Sequence, residues 1–265
     1  MKIAVVGLGL IGGSFEKAAR RVSHTVMTVH HGDQTGFEEA ELILVCLPPE
    51  AIVPWISAHQ TQFAKGAIIV DIAGIKRDIM RDFERTFPTP SNDWIFVGGH
   101  PMAGREVSGY ANSLETLFDG ASMIFVPQTG RVLDEQVRGK LETCFRTFGF
   151  ARLVWTTAEE HDAMIAFTSQ LCHIVATSYA RDELVSSSPG FSAGSYANMT
   201  RIATQNADIW SSLYQSNRDA LLPVMDRFIE RLSDFRAALA AGDVEKMKAM
   251  IDEGTSAKKR ELASR

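Results

Sequence analysis

The 265-residue chain has few cysteines and no excess of positive charge. Its three cysteines, Cys46, Cys144 and Cys172, show neither the paired spacing of a metal site nor the even count of a disulfide framework. We therefore expect reduced thiols, a cytoplasmic location and no bound metal. The formal charge of -5 provides no basic field for a phosphate backbone, so we expect no nucleic acid partner.

Long hydrophobic runs are also missing. No apolar stretch approaches the roughly 20 residues that span a bilayer. The amino terminus, Met1-Lys2-Ile3, runs directly into a strand-like segment instead of a signal sequence. We expect no membrane partner. With 45% hydrophobic and 22% charged residues, the composition is that of a globular protein of one large or two modest domains.

Short β-branched runs alternate with helix-compatible segments in the first part of the chain. Such alternation is typical of a doubly wound parallel sheet, so we expect a Rossmann-type α/β domain over residues 1–155. From about Thr156 onward the spacing is helical, which predicts an all-helical domain over residues 156–265. The predicted strands are Lys2 to Val6, Thr25 to Val29, Leu42 to Leu47, Ala67 to Asp71, Trp94 to Gly98 and Ser122 to Val126.

A glycine-rich loop follows the first predicted strand. Gly7, Gly9 and Gly12, with Leu10 and Ile11 before the last glycine, stand between a strand and a helix, as a dinucleotide-binding loop requires. Gly7 allows the tight turn, Gly9 lets a pyrophosphate approach the backbone, and Gly12 lets the helix pack on the strand. The helix amino terminus then faces the anion. We expect this loop to bind NAD or NADP.

The residues that would discriminate between NAD and NADP do not follow the common pattern. An acidic residue after the second strand would indicate NAD, but His30 and His31 stand there. Either they tolerate a 2′-phosphate or they are solvated turn residues, so the choice between NAD and NADP stays open. Leu47 and Pro48, at the end of the third predicted strand, are also expected to contact the cofactor.

His100 follows a predicted strand in the segment GGHPMAGREVSG. Ligands of doubly wound sheets bind at the carboxyl ends of the strands, so His100 is expected where a nicotinamide and its substrate meet. Oxidation of an alcohol needs a group that takes the hydroxyl proton, and histidine titrates near neutral pH. His100 is therefore the candidate catalytic base, and a structural histidine at the strand end is the alternative.

Three motifs in this order, GLGLIGGS, DIAGIK and GGHPMAGREVSG, resemble the prephenate and arogenate dehydrogenase family. The resemblance covers nearly the whole chain. It implies oxidation of the ring carbon that bears the 4-hydroxyl of prephenate, with loss of the ring carboxylate as carbon dioxide, to give 4-hydroxyphenylpyruvate for tyrosine biosynthesis. It also implies a homodimer formed by the helical domain. The alternatives are an arogenate dehydrogenase, another two-domain NAD(P)-dependent hydroxy-acid dehydrogenase, and a cofactor-sensing regulator.

The resemblance also implies substrate-binding residues in the helical half. Arg201 matches an arginine that binds a substrate carboxylate, although an ion pair with Asp208 is the alternative. Ser169 and His173 match a family pattern at the substrate site, and a core histidine is the alternative for His173. His161 is expected to be a structural or capping group.

Four further residues near the motifs are candidate site residues. Gly74 stands where the family often has a serine, and both Gly74 and Lys76 are expected at the cofactor site. Arg105 and Glu106, close to His100, are expected to contact the substrate's side chain. A pairing of Glu106 with Arg105 or with Arg201 is the alternative.

Overall fold

A computed structural model of the protein describes residues 1–30, 37–89, 93–105, 107–130 and 132–264. Within these residues, seven strands form one sheet. The strands are β1 (Lys2–Val6), β2 (Thr25–Val29), β3 (Leu42–Val45), β4 (Ala67–Asp71), β5 (Trp94–Pro101), β6 (Ser122–Pro127) and β7 (Arg152–Trp155). Their order in the sheet is β2-β1-β3-β4-β5-β6-β7.

Both faces of the sheet are covered, which explains the nearly continuous apolar strands. Along β1, Ile3 and Val5 belong to one core cluster, whereas Ala4 and Val6 belong to the other. Helices contribute to both clusters. The first cluster includes residues of α1 (Leu10–Arg21) and α4 (Glu135–Thr147), and the second includes residues of α2 (Pro49–His59) and α3 (Arg77–Thr86).

The predicted Rossmann-type fold is confirmed, with one antiparallel pair of strands that the sequence analysis did not anticipate. All neighbouring strands are parallel except β5 and β6. The described residues between these two strands form only a short 3-10 turn, Tyr110–Asn112. A parallel return needs a long crossover, usually a helix, so β6 runs back beside β5. Strand β7 was not predicted, and β5 continues through His100 to Pro101.

Helices make up the remaining regular structure after β7 in the described residues. The α-helices are α5 (Ala158–Ile165), α6 (Leu171–Ala180), α7 (Gly194–Thr200), α8 (Ala207–Ser216), α9 (Arg218–Ala241) and α10 (Val244–Ala263). A π-helical turn, Ala166–Gln170, joins α5 to α6. Such turns are rare and often occur at functional sites.

Contacts divide the chain into two compact units. The first unit is Met1–Asn217, and the second begins at Arg218 and contains α9 and α10. The predicted domain division between residues 155 and 156 stays a proposal. The three cysteines are unpaired. In the part of the chain that the structure describes, every helix is too short or too polar to cross a membrane.

Candidate active site

The glycine loop between β1 and α1 has the geometry of a dinucleotide cradle. Gly7 has a φ of +86°, and a Cβ built there would lie 2.6 Å from the Cys46 carbonyl oxygen. A Cβ on Gly12 would lie 2.0 Å from the Gly7 carbonyl oxygen, so only glycine lets α1 approach β1 this closely. At Gly9 a Cβ would meet nothing within 4 Å, so this backbone borders open space.

The amino terminus of α1 faces this space. Gly9 is the N-cap and provides no side-chain hydrogen bond, and the first turn, with Leu10 and Ile11, contains no acidic residue. The free N–H groups and the positive end of the helix dipole suit the negative charge of a pyrophosphate. The open cradle therefore fits a dinucleotide cofactor, which would supply the hydride acceptor when bound.

Leu47, Pro48 and His30 of the predicted cofactor site follow strands at the same carboxyl edge of the sheet. Leu47 has a side-chain carbon 3.0 Å from the position of a Cβ on Gly7. Pro48 is the N-cap of α2. His30 is exposed directly after β2, whereas His31 lies outside the described residues, as does Glu106 of the predicted substrate site. The roles of these residues stay predictions.

A buried ion pair orders the loop after β4. The Lys76 ammonium donates to the Asp71 carboxylate, and neither side chain is exposed. Asp71 also accepts hydrogen bonds from the backbone N–H of Ala73, at 3.0 Å, and of Gly99, at 3.3 Å. The loop is thereby joined to β5 just before His100. The Lys76 ammonium therefore points into the protein, and the predicted place of Lys76 at the cofactor site stays a prediction.

His100 is held at the end of β5 by a chain of side chains from α5. Its Nδ1 lies 2.9 Å from Nε2 of His161, and Nδ1 of His161 lies 2.6 Å from Oδ1 of Asp162. The other nitrogen of His100, Nε2, faces the loop after β4, where a Cβ on Gly74 would lie 3.8 Å away. Thr157 is the N-cap of α5, so His161 does not cap the helix. Instead, His161 contacts the candidate base His100.

Asp162 is held by hydrogen bonds from the start of α3. Its carboxylate accepts from the backbone N–H of Lys76 at 2.8 Å and from that of Arg77 at 3.0 Å. Burial raises the pKa of Asp162, but the hydrogen bonds from His161, Arg77 and Lys76 outweigh it and leave the pKa below its ordinary value. Asp162 is therefore a carboxylate at neutral pH.

The environment keeps His100 neutral. Burial lowers its pKa well below the ordinary value of 6.5, and repulsion from His161 and Lys76 lowers it further, whereas Asp162 opposes the shift. A neutral imidazole has a nitrogen lone pair that accepts a proton. His100 can therefore act as a base near neutral pH.

A second cluster surrounds His173 on α6. His173 Nδ1 lies 3.0 Å from the Ser169 carbonyl oxygen, and its ring centroid lies 3.9 Å from that of Trp210. Gln205 donates to the His173 carbonyl oxygen at 3.2 Å. His173 and Ser169 are thus neighbours one helical turn apart, and their place at a substrate site stays a prediction. The turn Arg201–Ala203 packs against α6.

Two buried amides connect this cluster with the histidine chain. Asn217 donates to the backbone oxygen of Asp162 at 2.9 Å and to the side-chain oxygen of Gln170 at 2.7 Å. Gln170 in turn donates to the Leu213 carbonyl oxygen at 3.2 Å. Gln170 therefore has a defined structural role here.

The two predicted substrate-binding arginines are both exposed. Arg201 opens the turn after α7. Arg105 donates to the Asn112 carbonyl oxygen at 3.0 Å. The sequence analysis missed Asp162, Arg77 and Asn217; the adjacent histidine and aspartate at the start of α5 were the only local signal for this group.

Two family models match the chain. "Prephenate dehydrogenase, nucleotide-binding domain" matches residues 8–142, and "Prephenate dehydrogenase, dimerization domain" matches residues 157–253. Cyclohexadienyl dehydrogenase from Zymomonas mobilis is 29% identical over 91% of this chain and 89% of its own length. Prephenate dehydrogenase from Bacillus subtilis is 27% identical over 92% of this chain and 72% of its own length.

Solved structures share the fold. Arogenate dehydrogenase from Synechocystis superposes with a TM-score of 0.82 at 22% identity, covering 98% of this chain and 99% of its own. Prephenate dehydrogenase from Aquifex aeolicus, in complex with hydroxyphenyl propionate and NAD+, gives a TM-score of 0.79 at 20% identity, covering 99% of this chain and 98% of its own.

Proposed function

The chain belongs to the prephenate dehydrogenase family, and from this premise we propose that it oxidises and decarboxylates prephenate to 4-hydroxyphenylpyruvate, with NAD or NADP as hydride acceptor. The product is on the route to tyrosine. Arogenate, which has an amino acid side chain instead of a keto acid, is the alternative substrate, since an arogenate dehydrogenase is among the structural neighbours.

One observation carries the proposal: a histidine that burial keeps neutral ends β5 at the carboxyl edge of the sheet, the edge that also holds the glycine loop. His100 ends β5, and its Nε2 points toward Gly74 at the carboxyl edge of the sheet. The base accepts the proton of the 4-hydroxyl through this nitrogen as hydride leaves the same ring carbon. Loss of the ring carboxylate then makes the ring aromatic, which drives the reaction.

We assign carboxylate binding to Arg201 and a substrate-lining role to His173 and Ser169. Arg201 is an exposed residue of a turn that packs against α6, the helix that contains His173. An arginine can hold a carboxylate through two parallel hydrogen bonds, which a lysine cannot reproduce. Arg201→Lys should therefore raise KM by about tenfold or more with a smaller effect on kcat. Arg181→Lys, at an exposed arginine on the same half of the chain, is the control.

The decisive experiment measures formation of reduced cofactor. Purified protein is tested with prephenate and with arogenate, each with NAD and with NADP. The variant His100→Asn should lower kcat by about 100-fold or more, since general base catalysis contributes at least this factor. His24→Asn is the matched control, because His24 contacts the amino terminus and Thr147, away from the cradle.

Each result has a defined meaning. Turnover of prephenate that is lost in His100→Asn and kept in His24→Asn supports the reaction and the base. Faster turnover of arogenate selects the alternative substrate. Cofactor binding without turnover of either acid would contradict the proposed function and favour another hydroxy acid or a regulatory role.

We also propose a cytoplasmic location, which suits three unpaired cysteines. We further propose a homodimer, because the second compact unit exposes an apolar stripe. Along α9, the exposed side chains Leu222, Ile229, Leu232 and Leu239 recur at helical spacing. The matching family model describes residues 157–253 as a dimerization domain, which favours a second copy as the partner of this stripe. Leu232→Asp should shift the mass measured by light scattering from dimer to monomer, and Arg231→Asp is the control. A monomer at all concentrations would contradict the proposal.

A further inference from the structure

We propose that His161 and Asp162 are positioning residues that keep the proton of neutral His100 on Nδ1, so that Nε2 faces the substrate as the base. This inference rests on the proposed function only for the identity of the substrate. The geometry that supports it is the continuous chain from Asp162 through His161 to His100, with contacts of 2.6 and 2.9 Å.

The donor and acceptor of each hydrogen bond in this chain can be assigned starting from Asp162. An ionised carboxylate only accepts hydrogen bonds. The backbone N–H groups of Lys76 and Arg77 each donate to one of its oxygens, and the Nε–H of Arg77 adds a longer contact at 3.4 Å. His161 Nδ1 therefore donates to Asp162.

The same assignment extends to the hydrogen bond between His161 and His100. A neutral imidazole carries a proton on one nitrogen and a lone pair on the other. Since His161 Nδ1 carries the proton, its Nε2 accepts from Nδ1–H of His100. The lone pair of His100 then lies on Nε2, which faces Gly74 in the loop after β4. A carboxylate that sets the tautomer of an imidazole base is a known catalytic arrangement, and here a second imidazole extends it.

Charged groups lie around the hydrogen-bonded pair His100 and His161. The groups that face the pair are Asp162 on α5, Asp71 at the end of β4, and Lys76 and Arg77 at the start of α3. The buried Lys76–Asp71 pair contributes a positive and a negative charge, and Asp162 is matched by Arg77. No carboxylate contacts His100 directly among the described residues, so the proton on Nδ1 depends on His161.

Two substitutions of His161 separate positioning from a purely structural role. Glutamine places its amide near the position of Nε2, where it can accept from His100, whereas asparagine places its amide near Nδ1, where it can only reach Asp162. Positioning predicts that His161→Asn lowers kcat by about 100-fold or more, and that His161→Gln retains activity within about tenfold of the native protein. A structural role for the contact with Asp162 predicts the reverse order and would overturn the proposal.

Nitrogen-15 NMR of histidine-labelled native protein tests the tautomer without substrate. His100→Asn identifies the signals of His100 by their loss. We expect Nδ1 of His100 to be protonated and Nε2 to be unprotonated at neutral pH. A proton on Nε2, which would follow if a cationic His161 donated to His100, would overturn the proposal. The result is independent of turnover, so it is distinguishable from a failure of the proposed function, and it holds even if a His161 variant does not fold.

Discussion

Alanine substitutions in the glycine loop separate its two roles, packing and cofactor approach. At Gly12, a Cβ would lie 2.0 Å from the Gly7 carbonyl oxygen, so α1 and the loop must separate by roughly 1.5 Å to reach an ordinary contact. At Gly9, the same substitution meets nothing within 4 Å, and the φ of -86° is accessible to alanine. We expect Gly12→Ala to lower stability and Gly9→Ala to leave it unchanged.

The magnitude follows from two opposing terms. Overpacking at Gly12 costs about 3 kcal/mol, because the obstacle is backbone that cannot rotate away. Alanine in a helix recovers about 1 kcal/mol. The net loss of about 2 kcal/mol lowers Tm by about 4–8 °C in a chain of this size. Both variants should weaken cofactor binding by about tenfold or more, which corresponds to about 1.4 kcal/mol.

The assay combines thermal unfolding with a titration of NAD and NADP. Gly139→Ala is the matched control, because Gly139 is an exposed residue of α4 with nothing within 4 Å of a Cβ. The control should keep cofactor affinity and gain up to about 1 kcal/mol of stability. A Gly12→Ala variant with native Tm and affinity would refute the packing argument, and a Gly9→Ala variant with native affinity would refute the role of Gly9 in the cradle.

Three further predictions follow from the site. Gly74→Ser should leave Tm unchanged and give a kcat up to about tenfold higher than that of Gly74→Ala. The serine hydroxyl can hydrogen-bond Nε2 of His100, which an alanine cannot do. Equal kcat values for the two variants would contradict this. The folded state lowers the pKa of His100, so the acid limb of the kcat/KM profile should lie below pH 6.5. For the same reason, the free energy of unfolding should decrease as the pH falls through 6.5 toward the folded pKa. An acid limb near pH 7 or above would contradict the assignment of His100 as the base. Lys76→Met should destabilise the fold by about 3–5 kcal/mol in denaturant unfolding, since it leaves a buried charge on Asp71, and Asp71→Asn in the same chain should recover part of the loss.

The strands and the glycine loop were predictable because their signals are local. The bounds of β1, β2 and β4 agree with the prediction, since an apolar run between turn residues needs no distant partner to be recognised. At Gly12 the excluding atom is the carbonyl oxygen of Gly7, five positions earlier, so this packing role follows from a local pattern. At Gly7 the excluding atom is the carbonyl oxygen of Cys46, which is distant in sequence, and only the positive φ of the turn is a local requirement. The antiparallel pair of β5 and β6 was not predictable from strand patterns, since alternation does not encode direction.

The sequence by itself determined the residue types: a glycine loop that only glycine can form, and a histidine at the end of a strand. Only the tertiary structure decided how that histidine works. His100 and His161 are 61 residues apart, and Lys76 and Asp162 are 86 apart, yet hydrogen bonds join each pair. The proton position on an imidazole depends on the partner of each nitrogen, and the pKa depends on burial and nearby charge. Both are properties of the assembled environment, which is created when α5 packs beside the carboxyl edge of the sheet.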